Sequence, residues 1–272
     1  MDCAQVLDNK ITLHFAHANG FPSASYNKLF KALPDTFQLL ALNKFGHTTR
    51  FPVNNNWRNQ AEEMLEYVDK NTAPDQKVYA VGHSFGAIVS YIAVSMRPEK
   101  FTGLIMLDPP LATGFSRHVF ALAKKFKLVN KITPARLALR RKRSWHYQTD
   151  LVDYFSKRGL FKSMDPDCIA DYVTAVIRRK GDQQVLDFDP AIEAEVFRTI
   201  PDDLHRYAGH LTCPATLITG EQTKVCLPIL RNDFINRNRL THLTMPGGHM
   251  FPLENPLGVA QQITQIILST AT

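Results

Sequence analysis

A serine between two glycines has the clearest chemical potential in this chain. Residues 82–86 read GHSFG, with Ser84 at the centre. The apolar run 77–81 before it predicts a strand, and residues 87–96 have the pattern of a helix. A turn that passes directly from strand to helix strains the residue at its apex and leaves room only for small flanking residues. This order therefore predicts a nucleophilic hydroxyl presented at the end of a strand.

His249 is the candidate base for Ser84. A serine hydroxyl is a weak nucleophile at neutral pH and needs a histidine whose tautomer is fixed by a carboxylate. His249 lies in the segment MPGGHMF, where Gly247 and Gly248 permit a sharp loop. No other histidine follows the last predicted strand, residues 240–245, so we favour this role over that of an ordinary surface histidine.

These motifs resemble those of the α/β-hydrolase superfamily, from about residue 11 to the C-terminus. The resemblance implies an α/β fold: a mostly parallel sheet of six or seven strands flanked by helices, with a helical cap insert. It also implies a catalytic triad in the chain order serine, acid, histidine, with Ser84 as nucleophile and His249 as base. No metal site and no cofactor is expected.

The acid of the triad is ambiguous in the sequence. Most relatives place it three residues after the glycine that ends the penultimate strand, but this chain has Thr223 there. Glu221 lies two positions earlier in the same loop. Asp108 ends the strand that follows the elbow helix, a position that some branches of the superfamily use. We predict Asp108 as the acid in preference to Glu221, although a cap for backbone N–H groups is the alternative role for Asp108.

The resemblance also indicates two oxyanion-hole amides. One belongs to the residue after the nucleophile, Phe85, and the other to the loop after the first main strand. In that loop relatives often have HGFP, and this chain has NGFP at 19–22, with Asn19 in place of the usual histidine; the resemblance indicates the Phe21 amide. Asn19 would either support the loop or contact substrate.

Strand and helix patterns alternate along most of the chain. Strands are predicted at 11–15, 37–42, 103–107 and 215–219, with a further edge strand near residues 4–7 or none. Helices are predicted at 25–33, 57–71 and 257–268. The interval 112–210 reads as mostly helical and is predicted to be a cap (lid) subdomain, called the insert below. Residues 1–111 and 211–272 would then form the α/β-hydrolase core domain.

Composition excludes several classes of protein. The chain has 272 residues, 44% of them hydrophobic, which is enough for one large core with a small accessory subdomain. It has no apolar run long enough for a transmembrane segment and no secretory signal at its start, so we expect a cytoplasmic protein. The four cysteines have no metal-ligand spacing and are expected to be reduced thiols, without disulfides.

The net charge of +7 is concentrated in one segment. Residues 124–143, from Lys124 to Arg143, contain nine lysines and arginines and no acidic residue. No reading element or base-stacking aromatic accompanies them, so we expect no nucleic-acid binding. We favour a solvated face of the insert; a patch for an anionic substrate or weak contact with a membrane surface is the alternative.

The expected activity is hydrolysis of carboxylic esters or thioesters through an acyl-enzyme. The Phe and Leu residues of the insert predict a small-molecule ester with an apolar acyl or alkyl part. Two other functions remain open with the same residues: C–C bond hydrolysis or haloperoxidase-like activity, and a non-enzymatic ligand receptor on the hydrolase scaffold.

Overall fold

The computed structural model describes residues 10–126 and 128–270, and nine strands form among them. The strands are β1 (Ile11–Ala16), β2 (Phe37–Leu40), β3 (Val78–His83), β4 (Phe101–Leu107), β5 (Ser144–His146), β6 (Ile177–Lys180), β7 (Gln183–Leu186), β8 (Ala215–Gly220) and β9 (Thr241–Met245). Six of them form a parallel sheet in the order β2-β1-β3-β4-β8-β9. The predicted fold class is confirmed. The edge strand considered near residues 4–7 lies outside the described residues.

Twelve α-helices form within the same residues. They are α1 (Asn27–Lys31), α2 (Arg58–Asn71), α3 (Phe85–Met96), α4 (Ser116–Lys125), α5 (Val129–Ile132), α6 (Ala135–Leu139), α7 (Leu151–Ser156), α8 (Pro166–Val176), α9 (Pro190–Arg198), α10 (Pro228–Asn238), α11 (Phe251–Glu254) and α12 (Pro256–Thr270). Over the described part of the chain, none of the helices combines the length and the apolar character needed to cross a membrane.

The main sheet is buried on both faces. Along β3, Val78 and Ala80 belong to the core cluster that contains α2 and α3, whereas Tyr79 and Val81 face the cluster with α1 and α12. Side chains of successive strand residues point to opposite faces, so a strand covered on both sides must be apolar at nearly every position. This explains the continuous apolar runs from which the strands were predicted.

The insert is largely helical, with α4 to α9, but it also contains a small sheet that the sequence analysis missed. Strands β5, β7 and β6 form an antiparallel three-stranded sheet. The β6–β7 hairpin reads IRRK and QQVL and is mostly exposed or half-buried. Short strands without an apolar alternation give no period-two signal. The division of the chain into a core domain and a cap subdomain stays a prediction.

Sheet order opens a crevice at the carboxyl edge beside β3. From β1 the chain runs to β2 on one side, whereas from β3 it runs to β4 on the other side, so the loops after β1 and β3 diverge. The register pairs His83 with Leu107 and Leu107 with Ile218. Residues that follow β3, β4 and β8 therefore emerge side by side. Ser84 and Asp108 are the first residues beyond two of these strands.

The strand-to-helix turn at Ser84 requires both of its glycines. A Cβ atom on Gly82 would lie 2.3 Å from the carbonyl oxygen of Gly86, and one on Gly86 would lie 2.1 Å from that of Ala16. Both distances are far below van der Waals contact, and the opposing atoms belong to backbone. The glycines thus let α3 start directly against β1.

We expect Gly86→Ala to lower the free energy of unfolding by about 3 kcal/mol or to prevent folding, because the new methyl group must displace backbone. Gly181→Ala is the control. Gly181 has φ +58° and open space around a Cβ, so alanine there costs only about 1–2 kcal/mol of backbone strain. Chemical denaturation of both variants measures the difference; equal losses would contradict the packing argument.

Candidate active site

Ser84 occupies the apex of the turn in a strained conformation. Its backbone has φ 55° and ψ −117°, a region that side-chain-bearing residues rarely adopt. The Ser84 amide donates a 2.8 Å hydrogen bond to the Leu107 carbonyl, which fixes the turn against β4. Because α3 begins at Phe85, the Phe85 amide is one of the first four N–H groups that have no partner inside the helix.

His249 approaches Ser84 from the loop after β9. Gly247 has φ 116°, and the Gly248 amide donates a 3.0 Å hydrogen bond to the Glu254 carboxylate. The His249 imidazole lies with Nε2 2.9 Å from the Ser84 hydroxyl oxygen. The two residues, 165 positions apart in the chain, are thus within hydrogen-bonding distance.

Asp108 lies on the other side of the imidazole. Its Oδ2 is 2.6 Å from His249 Nδ1, and its side chain is fully buried. The Thr223 hydroxyl donates a 2.6 Å hydrogen bond to the same oxygen. Glu221, by contrast, is exposed. The structure therefore brings Ser84, His249 and Asp108 together and leaves Glu221 outside the group.

Thr223 is a functional candidate that the sequence analysis did not identify. It was considered only as the residue that stands where relatives have the acid. In the structure its hydroxyl donates a hydrogen bond to the carboxylate of Asp108 at the end of β4. The same hydroxyl accepts a 3.1 Å hydrogen bond from the Val225 amide. The only sequence signal was the absence of a carboxylate at this position, which does not indicate what a threonine would bind.

The loop after β1 forms a turn that engages the Phe21 amide. This amide donates a 3.1 Å hydrogen bond to the Ala18 carbonyl, and Gly20 at the third position of the turn has φ 77°. The Phe21 ring packs on Tyr172, with ring centroids 5.0 Å apart. The Phe21 amide, which the resemblance indicated as an oxyanion donor, is therefore engaged in closing its own turn.

Asn19 has a different environment in the same turn. Its side-chain amide donates a 3.0 Å hydrogen bond to the Glu193 carbonyl in the insert, so the side chain supports the loop. Its backbone amide has no acceptor among the described residues, and Asn19 lines the cavity at Ser84. No feature of the sequence indicated the Asn19 amide as a donor.

A buried hydrogen-bond chain joins this loop to the His249 loop. The Ala18 amide donates to the Tyr26 hydroxyl at 3.2 Å, and this hydroxyl is 2.7 Å from His83 Nδ1. His83 Nε2 is 2.9 Å from the His249 carbonyl. A carbonyl only accepts, so Nε2 of His83 must carry the proton and Nδ1 must accept from Tyr26. His83 therefore holds the backbone of His249 and not its imidazole.

A cavity of about 460 Å³ opens at Ser84. Most of its walls are apolar, including Trp57, Phe120, Ile132 and Val196, while His249, Gln222 and Lys224 supply polar groups. A second cavity of about 480 Å³ shares four wall residues with it: Phe21, Pro134, Leu160 and Phe197. Aromatic side chains of the insert line this second space. The Ser84 hydroxyl thus faces a largely apolar volume that extends under the insert.

Comparison with known proteins identifies the family. The model of the alpha/beta hydrolase family matches residues 15–262. The chain belongs to this family. A search of curated proteins found no match. The family match supports a hydrolase.

Solved structures with the same fold are distant in sequence. E-2-(acetamidomethylene)succinate hydrolase superposes with a TM-score of 0.74 at 19% identity, over 95% of this chain and 91% of that chain. The peroxisomal alpha-beta-hydrolase Lpx1 of Saccharomyces cerevisiae gives 0.74 at 18% identity, over 95% and 76%. The thioesterase domain from the curacin biosynthetic pathway gives 0.70 at 16%, over 94% and 91%.

Three histidines are buried in or next to the central strands: His14 in β1, His17 directly after it, and His83 at the end of β3. Burial lowers the pKa of His17 to about 4, and it lowers the pKa values of His83 and His14 to about 3. Neither ring nitrogen of His14 has a hydrogen-bond partner among the described residues. In the folded protein these imidazoles stay neutral, whereas in the unfolded protein they take up protons below about pH 6.5. They therefore contribute nothing above that pH and destabilise the fold increasingly as pH falls from 6.5 towards 4.

We expect the free energy of unfolding to fall between pH 6.5 and 5, by up to about 1.4 kcal/mol per pH unit for each of these histidines. His14→Leu should reduce this slope by one histidine's share, and the same change at the exposed His210 is the matched control. Denaturation curves at several pH values measure it. Glu63, whose pKa is raised to about 7 by burial, has the opposite slope but is present in all three proteins. An unchanged slope in His14→Leu would contradict the assignment.

Proposed function

We propose that this protein is a serine hydrolase that cleaves carboxylic esters or thioesters through an acyl-enzyme intermediate. One observation carries the proposal: Ser84, His249 and Asp108 form a continuous hydrogen-bonded series, 2.9 Å and 2.6 Å, that opens into an apolar cavity. The order and distances are those needed for a hydroxyl nucleophile, a base and an orienting carboxylate.

The first half of the reaction forms the acyl-enzyme. Ser84 Oγ attacks the substrate carbonyl while His249 Nε2 takes its proton. The Asp108 carboxylate accepts a hydrogen bond from the Nδ1–H group of His249 and stabilises the imidazolium that results. His249 then protonates the leaving alcohol or thiol. In the second half, His249 removes a proton from water as the water attacks the acyl carbonyl. The bond to Ser84 Oγ then breaks, His249 returns the proton to Oγ, and the acid is released.

The negative oxygen formed by each attack needs two donors. The Phe85 amide lies at the start of α3, where the helix also presents the positive end of its dipole. For the second donor we propose the backbone amide of Asn19 in place of Phe21, because the Phe21 amide is bonded to Ala18 and the Asn19 amide has no partner among the described residues. Each such donor is worth about 3–4 kcal/mol of the barrier.

The substrate we propose is a small ester with an apolar acyl or alkyl part. The walls of the Ser84 cavity are largely apolar, and its shared residues with the second cavity provide room for an extended chain. Among the proteins of similar fold, one is named as a thioesterase domain and another as an esterase of M. tuberculosis. Both names fit chemistry at an acyl carbonyl.

Two alternatives use the same scaffold. A ligand receptor would need no working triad, and the reason to consider one was the threonine at 223; the position of Asp108 beside His249 weakens that reason. C–C bond hydrolysis or haloperoxidase-like activity would use the same triad. The largely apolar walls of the Ser84 cavity suit a neutral ester and a neutral diketone alike, so the products formed from the two kinds of substrate separate these activities.

The decisive experiment offers the native protein and three variants a series of p-nitrophenyl esters of graded chain length and a set of diketones. Ser84→Ala should abolish turnover and labelling by a fluorophosphonate. Asp108→Asn should lower kcat by about 10⁴-fold because His249 loses the group that fixes its tautomer. Glu221→Gln is the matched control and should keep native activity. Turnover that survives Ser84→Ala would refute the proposal, and activity on diketones alone would favour the C–C hydrolase.

A second experiment tests whether Thr223 marks a position from which a carboxylate can replace Asp108. The Thr223 hydroxyl is 2.6 Å from Asp108 Oδ2. We expect Asp108→Asn/Thr223→Asp to recover kcat about tenfold or more over Asp108→Asn, because a carboxylate is restored near Nδ1 of His249. Asp108→Asn/Glu221→Asp is the control and should recover nothing. Equal kcat values for both double variants would argue against this geometry.

A further inference from the structure

Helix α4 presents an apolar stripe to solvent. Phe115, Val119, Leu122 and Phe126 follow one another at intervals of four, three and four residues, which places them on one side of the helix. They are 81%, 43%, 55% and 63% exposed. Phe120, on a different side, lines the Ser84 cavity and packs against the core. The helix thus has one apolar side for the protein and a second apolar side that the described chain leaves uncovered.

The stripe is part of a larger concentration of exposed apolar side chains. Fourteen large apolar residues are exposed among the described residues, and eight of these lie between 115 and 139. The eight are Phe115, Val119, Leu122, Phe126, Leu128, Ile132, Leu137 and Leu139. Scattered apolar residues on a surface need no explanation, but a concentration of this kind marks a surface that binds something.

The same segment carries positive charge without compensation. Residues 109–149 contain no aspartate or glutamate. Lys124 pairs with Asp202 at 2.9 Å and Arg141 with Glu193 at 2.6 Å. Six further cations are exposed and make no ion pair with any described residue: Lys125, Lys131, Arg136, Arg140, Lys142 and Arg143. Apolar and cationic groups therefore alternate along one segment, residues 115–126 and 128–143, and we call its exposed side chains the docking surface.

We propose that the docking surface binds the surface of an anionic lipid bilayer. An amphipathic helix with apolar and basic residues lies in the interface, with its apolar side chains among the acyl chains and its cations at the anionic headgroups. A second copy of this chain is a poorer occupant, because a symmetric pair would bring the unpaired cations of both copies together. An uncharged apolar partner would leave those cations unused.

Docking would also place the site close to lipid. Ile132 is 50% exposed on the docking surface and at the same time lines the Ser84 cavity, as does its neighbour Pro134. The apolar interior that holds the reactive hydroxyl and the apolar exterior are therefore separated by little more than the α4 to α6 layer. Binding itself does not require hydrolysis, so it can be measured whether or not the proposed activity is correct.

The experiment is sedimentation with vesicles of phosphatidylcholine, with and without phosphatidylglycerol, at low and high salt. The Ser84→Ala protein should bind anionic vesicles at low salt and neutral vesicles far more weakly, and added salt should reduce binding. Leu122→Glu/Phe126→Glu should weaken binding about tenfold or more. Leu257→Glu changes an equally exposed leucine (58%) on α12 and is the matched control. Lys125→Gln and Lys131→Gln should each cost about fivefold.

Three outcomes would overturn the proposal. The first is no binding to anionic vesicles at low salt. The second is binding that the Leu122→Glu/Phe126→Glu change leaves intact. The third is a dimer in the absence of vesicles that the same change dissociates, which would assign the surface to a second copy of the chain. The Leu122→Glu/Phe126→Glu change is also made in the protein that retains Ser84. Hydrolysis of soluble esters by that protein reports whether the double variant is folded.

Discussion

The close contact between the start of α3 and the end of β1 is the constraint on which the site depends. Only hydrogen atoms fit between Gly86 and the Ala16 carbonyl, and only a glycine at 82 leaves space for the next turn of chain. Ser84 is held between these contacts at positive φ, with its amide bonded to β4. The strain directs the hydroxyl outward and leaves the first amides of α3 beside it. The surrounding core, buried on both faces of the sheet, opposes relaxation of the turn.

The parallel sheet then determines which residues can meet Ser84. Strands β3, β4 and β8 end at the same edge, so a hydroxyl after β8 can reach the carboxylate after β4, which in turn reaches the His249 imidazole. Asp108 and Thr223 act together on His249. Asp108 supplies the negative charge beside its imidazole, and Thr223 fixes the position of the Asp108 carboxylate. The carboxylate is fully buried, and such a group is retained only where hydrogen bonds replace its lost hydration. The hydroxyl of Thr223 and Nδ1 of His249 both point donors at it.

The insert has two apolar sides that serve different purposes. Its inner side closes the cavity over Ser84, and Asn19 and Glu193 tie the loop after β1 to it. Its outer side carries apolar and cationic residues with no counterpart in the described chain. A packed core explains the first side completely. The second exposes apolar area to water without any partner in the described chain, and such a surface is typical of one that binds a partner outside the chain.

Features that depend on consecutive residues could be predicted from the sequence. The two glycines around Ser84, the apolar strands and the glycines before His249 each answer a local steric or solvation requirement, so they leave a local pattern. Asp108 could be named as a candidate for the same reason, since it ends a recognisable strand. The bond from Thr223 to Asp108, the engaged amide of Phe21 and the Tyr26–His83 connection came only from the tertiary structure. Each depends on atoms brought together from separate strands and loops, and such contacts impose no spacing along the chain. The small polar sheet of the insert escaped prediction because its strands bury too little to require an apolar period.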